Sequence, residues 1–271
     1  MNVNQVVKKI KEVKIQGASN IAVAALKAYA SSPTQETINK LTQARPTEPA
    51  LRNALKFAKA NSVNEALEHF SLSKLQIAKL GAKIIHRHIF THCHSSTVIN
   101  ILKEAKKQKK KFQVFNTETR PLYQGRKTSF ELAKAKIPTT MVVDLAAGDV
   151  LDKGGAIPAA NLMIIGADAI LKNGSIINKI GSEMFATLAH KNKIPVYIAT
   201  DSWKFTNHSV KIEERSFKEV WETAPNIKIR NPAFETVPAK YITGIISELG
   251  ILTPKQFIKK VKKTYPFITK K

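Results

Sequence analysis

The sequence predicts an α/β protein: a helical N-terminal domain over residues 1–85, then a doubly wound, mostly parallel Rossmann-like sheet over residues 86–271. Two observations carry this. Up to about residue 85, apolar residues recur at three- and four-residue spacing, the signature of one helix face. From about residue 86, short runs rich in β-branched and aromatic residues alternate with helix-like stretches. That rhythm means parallel strands with covering helices.

In order along the chain, "VNQVVKKIKEVKI" places Val3, Val6, Val7, Ile10 and Val13 on one helix face. "NIAVAALKAYA" is a second helix, closed by Ser31–Pro33. "TQETINKLTQA" opens on a cap at Thr34 and ends before Pro46. "PALRNALKFAKA" and "SVNEALEHFSLSKLQIAKLGAKII" continue the pattern. The predicted strands are "HIFTH" (88–92), "FQVFNTE" (112–118), "TTMVVD" (139–144), "LMIIGAD" (162–168) and "PVYIAT" (195–200). "SSTVINILKEAKKQ" and "EMFATLAHKN" are helices between them, and "DKGGAIPAA" (152–160) is the clearest loop.

The formal net charge is +24, from 44 Lys+Arg against 20 Asp+Glu. Such a field attracts polyanions, phosphorylated metabolites among them. Aromatic residues make up only 7% and no run interleaves them with Arg or Lys, so a base-stacking platform is not predicted and nucleic acid is not the expected partner. "KEAKKQKKKF" and "PKQFIKKVKKTYPFITKK" read as solvated helix faces. The single cysteine excludes an intrachain disulfide and points to a reducing compartment. No apolar stretch approaches the roughly 18 residues needed to span a bilayer, and the first residues lack the apolar core of a signal peptide. A cytoplasmic protein without a membrane partner is expected.

In an open parallel sheet, ligands bind at the carboxyl ends of the strands. All five predicted strand ends carry reactive or polar groups: Cys93, Glu118 with Arg120, Asp144, Asp168, and Asp201 with Lys204. Cys93 follows a strand and precedes the helix opened by Ser95 and Ser96. Positive partial charge from that helix start, with histidines on either side, favours a thiolate. A zinc ligand and an inert buried cysteine are the competing readings. His86, His88, His92 and His94 share one strand parity, but Cys93 would face away from them and no second thiol exists. No metal is predicted. Asp168 lies just past a buried strand, where desolvation would raise its pKa and keep a proton available. In "NKIGS", Asn178 and Lys179 fall at an expected helix start suited to a phosphate. Lys204 offers a second point charge.

These pieces resemble the family that unites archaeal ribose 1,5-bisphosphate isomerase, methylthioribose-1-phosphate isomerase and the alpha, beta and delta subunits of translation initiation factor 2B. The resemblance runs from "KIQGASNIAVAAL" to "ISELGILTPKQF". Its most specific parts are "IFTHCHSS", "TETRPLYQG", "GADAILKNGSIINKIGS" and "IPVYIATDSWKF". It implies that Cys93 and Asp168 are an acid–base pair, that Asn178, Lys179 and Lys204 contact a substrate phosphate, and that Arg45 and Pro46 reach over the site. It also places Gln16, Gly17, Ala18 and Ser19 among the substrate contacts. It implies a phosphorylated pentose as substrate, no cofactor, and a homo-oligomer, either a dimer or a ring of dimers. A ribulose bisphosphate product would feed a carboxylase of nucleotide-salvage type.

Two positions depart from the isomerase pattern. Gln16 replaces an arginine that binds phosphate, and a lost charge-assisted contact costs about 1.5–3 kcal/mol. Gly148 stands where the bisphosphate enzyme has another arginine. The alternative implied by the resemblance is a non-catalytic regulatory subunit that senses a sugar phosphate or nucleotide and binds a translation initiation factor.

Overall fold

The computed structural model describes residues 2–12, 14, 15, 17–223 and 226–269; Val13 and Gln16 lie outside the described residues. The N-terminal part is five helices: α1 (Val3–Lys11), α2 (Ala18–Ser31), α3 (Gln35–Ala44), α4 (Pro49–Ala60) and α5 (Val63–Ala82). Their starts follow capping chemistry. Asn2 and Gln5 form a capping box on α1, while the Thr34 and Ser62 hydroxyls accept N–H groups of α3 and α5. Pro49 opens α4, where its missing N–H is not needed.

The remainder alternates strand and helix. In order come β1 (Arg87–Thr91), α6 (Ser96–Lys107), β2 (Phe112–Thr117), α7 (Gln124–Lys134), β3 (Thr139–Val142), α8 (Ala147–Leu151), β4 (Leu162–Ile165), β5 (Ala169–Leu171) and β6 (Ile176–Lys179). Then follow α9 (Ser182–Lys191), β7 (Val196–Ala199), β8 (Phe205–Thr206), β9 (Phe234–Val237), β10 (Gly244–Ser247), β11 (Gly250–Leu252) and α10 (Pro254–Thr264). A seven-stranded sheet has the order β11-β10-β7-β4-β1-β2-β3. Every neighbouring pair is parallel except β10 with β11. The chain winds from β1 outward through β2 and β3, then crosses to β4 on the other side of β1. The winding therefore reverses between β1 and β4, which pair through Ile89–Leu162 and Phe90–Met163. Such a reversal opens a crevice at the carboxyl ends.

Each of the five predicted runs overlaps a strand of this sheet, β1 beginning one residue before its run. A second sheet, β8-β5-β6-β9, was not expected. It corrects the reading of "NKIGS": Asn178 and Lys179 end strand β6, and α9 begins only at Ser182, after Gly181 with φ 98°. The reason is the turn at Gly174, φ 85°, which folds β5 and β6 into a short antiparallel hairpin. Its strands are too short and too fully buried to show a two-residue alternation.

Two apolar clusters hold the molecule together, and both run across the turn between α5 and β1. One joins Leu26, Leu51 and Phe70 of the helices to Phe90, Trp203 and Phe257. The other joins Ile77 and Ala82 of α5 to Ile89, Val114 and Ile164 of the sheet. The N-terminal helices are thereby fixed to the sheet, and residues at the start of α2 and between α3 and α4 line the crevice.

Candidate active site

A cavity of about 320 Å³ lies at the reversal point between β1 and β4, within the size range of small-molecule sites. Gly17, Ala18, Ser19, Arg45, Cys93, Asp168, Asn178, Lys179 and Lys204 all line it. Gln16 lies outside the described residues. Gly166 permits the closeness: a Cβ there would stand 2.7 Å from the Ser95 hydroxyl. Only glycine lets the end of β4 approach the start of α6 so nearly.

Cys93 is held through its backbone. Its φ is 65°, an uncommon left-handed conformation for a residue other than glycine. Its N–H donates to the Thr119 hydroxyl at 3.0 Å, and its carbonyl accepts from the Thr128 hydroxyl at 2.8 Å. The first bond begins a directional chain. His92 Nε2 lies 2.8 Å from the Ile180 carbonyl, so this nitrogen carries the proton and donates. In the neutral ring Nδ1 must then accept, and it does so from the Thr117 hydroxyl at 2.6 Å. Thr117 in turn accepts from Thr119 at 3.1 Å. The thiol-bearing turn is thus tied, through two hydroxyls and an imidazole, to the residue after Lys179.

The expected cationic setting of Cys93 is corrected by burial. Desolvation brings His92 down to about 4 and also lowers His94, so neither flanking imidazole is charged at neutral pH. Burial pushes the Cys93 thiol up to about 11, against the opposing pull of Lys179. The helix start remains, but the Ser95 hydroxyl already accepts the Val98 N–H there. In the unliganded protein the thiol holds its proton. Among the described residues no cluster of three or more His, Cys, Asp or Glu side chains could hold a metal ion. Nor do the histidines converge: His86 is exposed, and His88 lies within β1 and donates to the Ala159 carbonyl at 3.2 Å.

Asp168 is raised, chiefly by burial, while Lys204, Lys179 and Arg45 pull the other way. The cations are themselves positioned. Lys204 donates to the Ala167 carbonyl at 2.6 Å. The Lys179 ammonium lies 5.2 Å from the centre of the Phe234 ring. Asn178 donates to the Ser182 hydroxyl at 2.8 Å, which donates to the Lys179 carbonyl at 2.6 Å. The start of α2 faces the same cavity, with Gly17 at its cap providing no side-chain bond. A helix start left open in this way favours an anion.

Only part of the strand-end reading survives. Asp144 accepts the N–H groups of Thr119 and Arg120 at 2.8 and 2.7 Å, shaping the loop. Glu118 pairs with Arg126 at 3.5 Å. Asp201 bonds His69 at 3.1 Å, away from the cavity. Lining residues that the sequence analysis does not single out include Glu48, Lys127, Gly166 and Arg215. Glu48 follows Arg45 and Pro46 closely enough to have been considered. Arg215 lies in a loop whose pattern gives no signal.

The family model of the initiation factor 2 subunit family matches residues 14–254. The chain is 35% identical, over 289 aligned positions, to ribose 1,5-bisphosphate isomerase of Methanocaldococcus jannaschii, with 93% of this chain and 92% of that protein covered. Among solved structures it is similar to the Pyrococcus horikoshii translation initiation factor eIF-2B, with a TM-score of 0.84 and 31% identity over 94% of this chain and 98% of that one. It is also similar to 5-methylthioribose 1-phosphate isomerase from Pyrococcus horikoshii, with a TM-score of 0.75 and 25% identity over 98% and 88%.

Proposed function

Because the chain belongs to the initiation factor 2 subunit family, we propose that it is an aldose–ketose isomerase converting ribose 1,5-bisphosphate to ribulose 1,5-bisphosphate. The observation that carries this reading is the joint lining of one cavity by Cys93, Asp168 and the cations Arg45, Lys179 and Lys204. A thiol and a desolvated carboxyl are the minimum for moving two protons, and the cations suit a doubly phosphorylated substrate.

In this mechanism protonated Asp168 donates to the ring oxygen and the C1–O bond of the ring breaks. Cys93, as thiolate, takes the proton from C2, and that electron pair forms a C1–C2 double bond. The enol keeps its C1 phosphate. The thiol then returns its proton to C1 while the Asp168 carboxylate takes the proton of the C2 hydroxyl. C2 becomes the ketone and both residues regain their starting forms. Oxidation level moves between two carbons of the substrate itself. The thiolate is the minor form in the free protein, and Lys179 is the cation that favours it.

The test is turnover of ribose 1,5-bisphosphate by purified protein, with the ketose product read by coupled carboxylation. Loss of activity in both Cys93→Ser and Asp168→Asn, with folding intact, supports the pair. Wild-type protein inert on this and other pentose phosphates sinks the enzyme reading. It would favour a regulatory subunit, a second reading supported by the likeness to a translation initiation factor. A homo-oligomer belongs to the same proposal: around edge strand β3, Met141, Val143 and Leu145 are 44%, 59% and 85% exposed. Sedimentation at several concentrations tests it.

A further inference from the structure

Among the polar groups of the cavity that have no counterpart in that mechanism is a buried carboxyl. Glu48 is 3% exposed and lines the cavity beside Arg45. It stands at the cap position of α4, yet its side chain makes no bond to that helix. Its Oε2 is buried with no hydrogen-bond partner, and so is Arg45 Nε. The two residues approach only to 3.8 Å, because Arg45 commits its Nη2 to Glu213 at 3.0 Å. A buried carboxyl oxygen without a partner destabilises a folded chain. Such a group, on a residue that lines a cavity, calls for a partner there.

The chemistry of the surroundings selects the missing partner. A phosphate oxygen can pair only with the acid form and is repelled by the carboxylate. A cation would be repelled by Arg45, Lys179 and Lys204. A hydroxyl suits either protonation state, donating to the carboxylate or accepting from the acid. Burial, with Asp168 nearby, raises Glu48 to about 8, so both forms are accessible near neutral pH.

We infer that Glu48 contacts substrate: its free oxygen pairs with a sugar hydroxyl, making the cavity selective for ribosyl over deoxyribosyl phosphates. This rests on the reading that the cavity binds a phosphorylated sugar. It adds a specificity-setting residue from the helical part of the chain.

The experiment is calorimetric titration of ribose 1,5-bisphosphate and its 2-deoxy and 3-deoxy counterparts into protein carrying Cys93→Ser to prevent turnover, with Glu48 as in wild type, Glu48→Gln or Glu48→Ala. The protein with Glu48 should bind at least one deoxy compound about tenfold more weakly, the worth of one hydrogen bond to a group able to ionise. That difference should vanish in Glu48→Ala and return in part in Glu48→Gln, whose amide still pairs with a hydroxyl. Without ligand, Glu48→Ala should melt about 2–4 °C higher, since an unpaired buried carboxyl has been removed. A merely structural residue would lower the midpoint and weaken all three ligands alike. Equal discrimination with Glu48 and with Glu48→Ala, or none with Glu48, overturns the inference and leaves the isomerase reading standing. Protein with Glu48 that binds none of the three sugars overturns both.

Discussion

Asp168 and Asp201 occupy matching places in the fold. Each follows the carboxyl end of a parallel strand, β4 and β7, and these strands are neighbours. Their surroundings make them opposites. Asp201 accepts from His69 at 3.1 Å and from the Trp203 N–H at 2.9 Å, while the His69 ring stacks on Trp203 at 3.8 Å. Burial would raise its pKa, but His69, the Trp203 N–H and Lys204 together outweigh burial and lower it. Among the described residues nothing donates a hydrogen bond to the Asp168 carboxyl, and there burial prevails. The difference teaches that topology supplies the position, whereas the protein's own partners decide whether a carboxyl is structural or left available for chemistry.

The sharpest way to break this comparison is to neutralise each aspartate. Asp168→Asn should lower turnover about 10²–10⁴-fold, the range for removing a general acid, with a thermal midpoint at or above that of wild type. Asp201→Ala should instead cost about 3–5 kcal/mol of folding stability, since it strips a buried charge pair of one partner. Denaturant titration and the coupled assay on both variants check this. The contrast disappears if Asp168→Asn unfolds the chain or Asp201→Ala leaves its stability intact.

That contrast also marks where sequence reading stops. Alternation of strand and helix was legible because it is local: β1, β2, β3, β4 and β7 each lie inside an apolar run bounded by polar residues. Cys93 and Asp168 were legible as strand-end residues, and the family resemblance drew them together. Asp144 and Asp201 carried the same local signal and proved to be loop and ion-pair residues, because their partners, the Thr119 and Arg120 amides and His69, lie 24 to 132 positions away along the chain. The thiol's setting was misread for a related reason. Neighbouring histidines suggest positive charge in one dimension. In three dimensions His92 is buried and spends both nitrogens on Thr117 and Ile180.

His92 gives the next test, on the Cys93 side. Its folded-state value of about 4 lies below the ordinary 6.5. The unfolded chain therefore binds the proton more readily. The stability is fully present above about pH 6.5, falls as the pH drops toward 4, and changes little below that. A shift of this size corresponds to on the order of 3 kcal/mol. The stability difference between wild type and His92→Asn should shrink by that amount between pH 7 and 4, measured by urea unfolding. A difference flat in pH would mean that the imidazole is not held neutral, and the directional chain from Cys93 to Ile180 would lose its basis.

The smallest expected effect concerns the thiol itself. A value of about 11, against 9.0 for a free cysteine, leaves about a hundredfold less thiolate at neutral pH. A more basic thiolate is intrinsically more nucleophilic, which recovers about half of that deficit on a logarithmic scale. Alkylation of Cys93 by iodoacetamide should thus run roughly tenfold slower than in the urea-unfolded chain at pH 7. The pH dependence separates burial from simple obstruction. Under burial the rate keeps rising about tenfold per pH unit beyond pH 9, where an ordinary cysteine has begun to level. A blocked but unshifted thiol would be slow at every pH and would still level near 9. Mass spectrometry of the single cysteine at a series of pH values reads the outcome directly. An early plateau would place Cys93 in the charged setting that the sequence suggests, and the contrast between a desolvated site and a fully paired one would then hold for the aspartates alone.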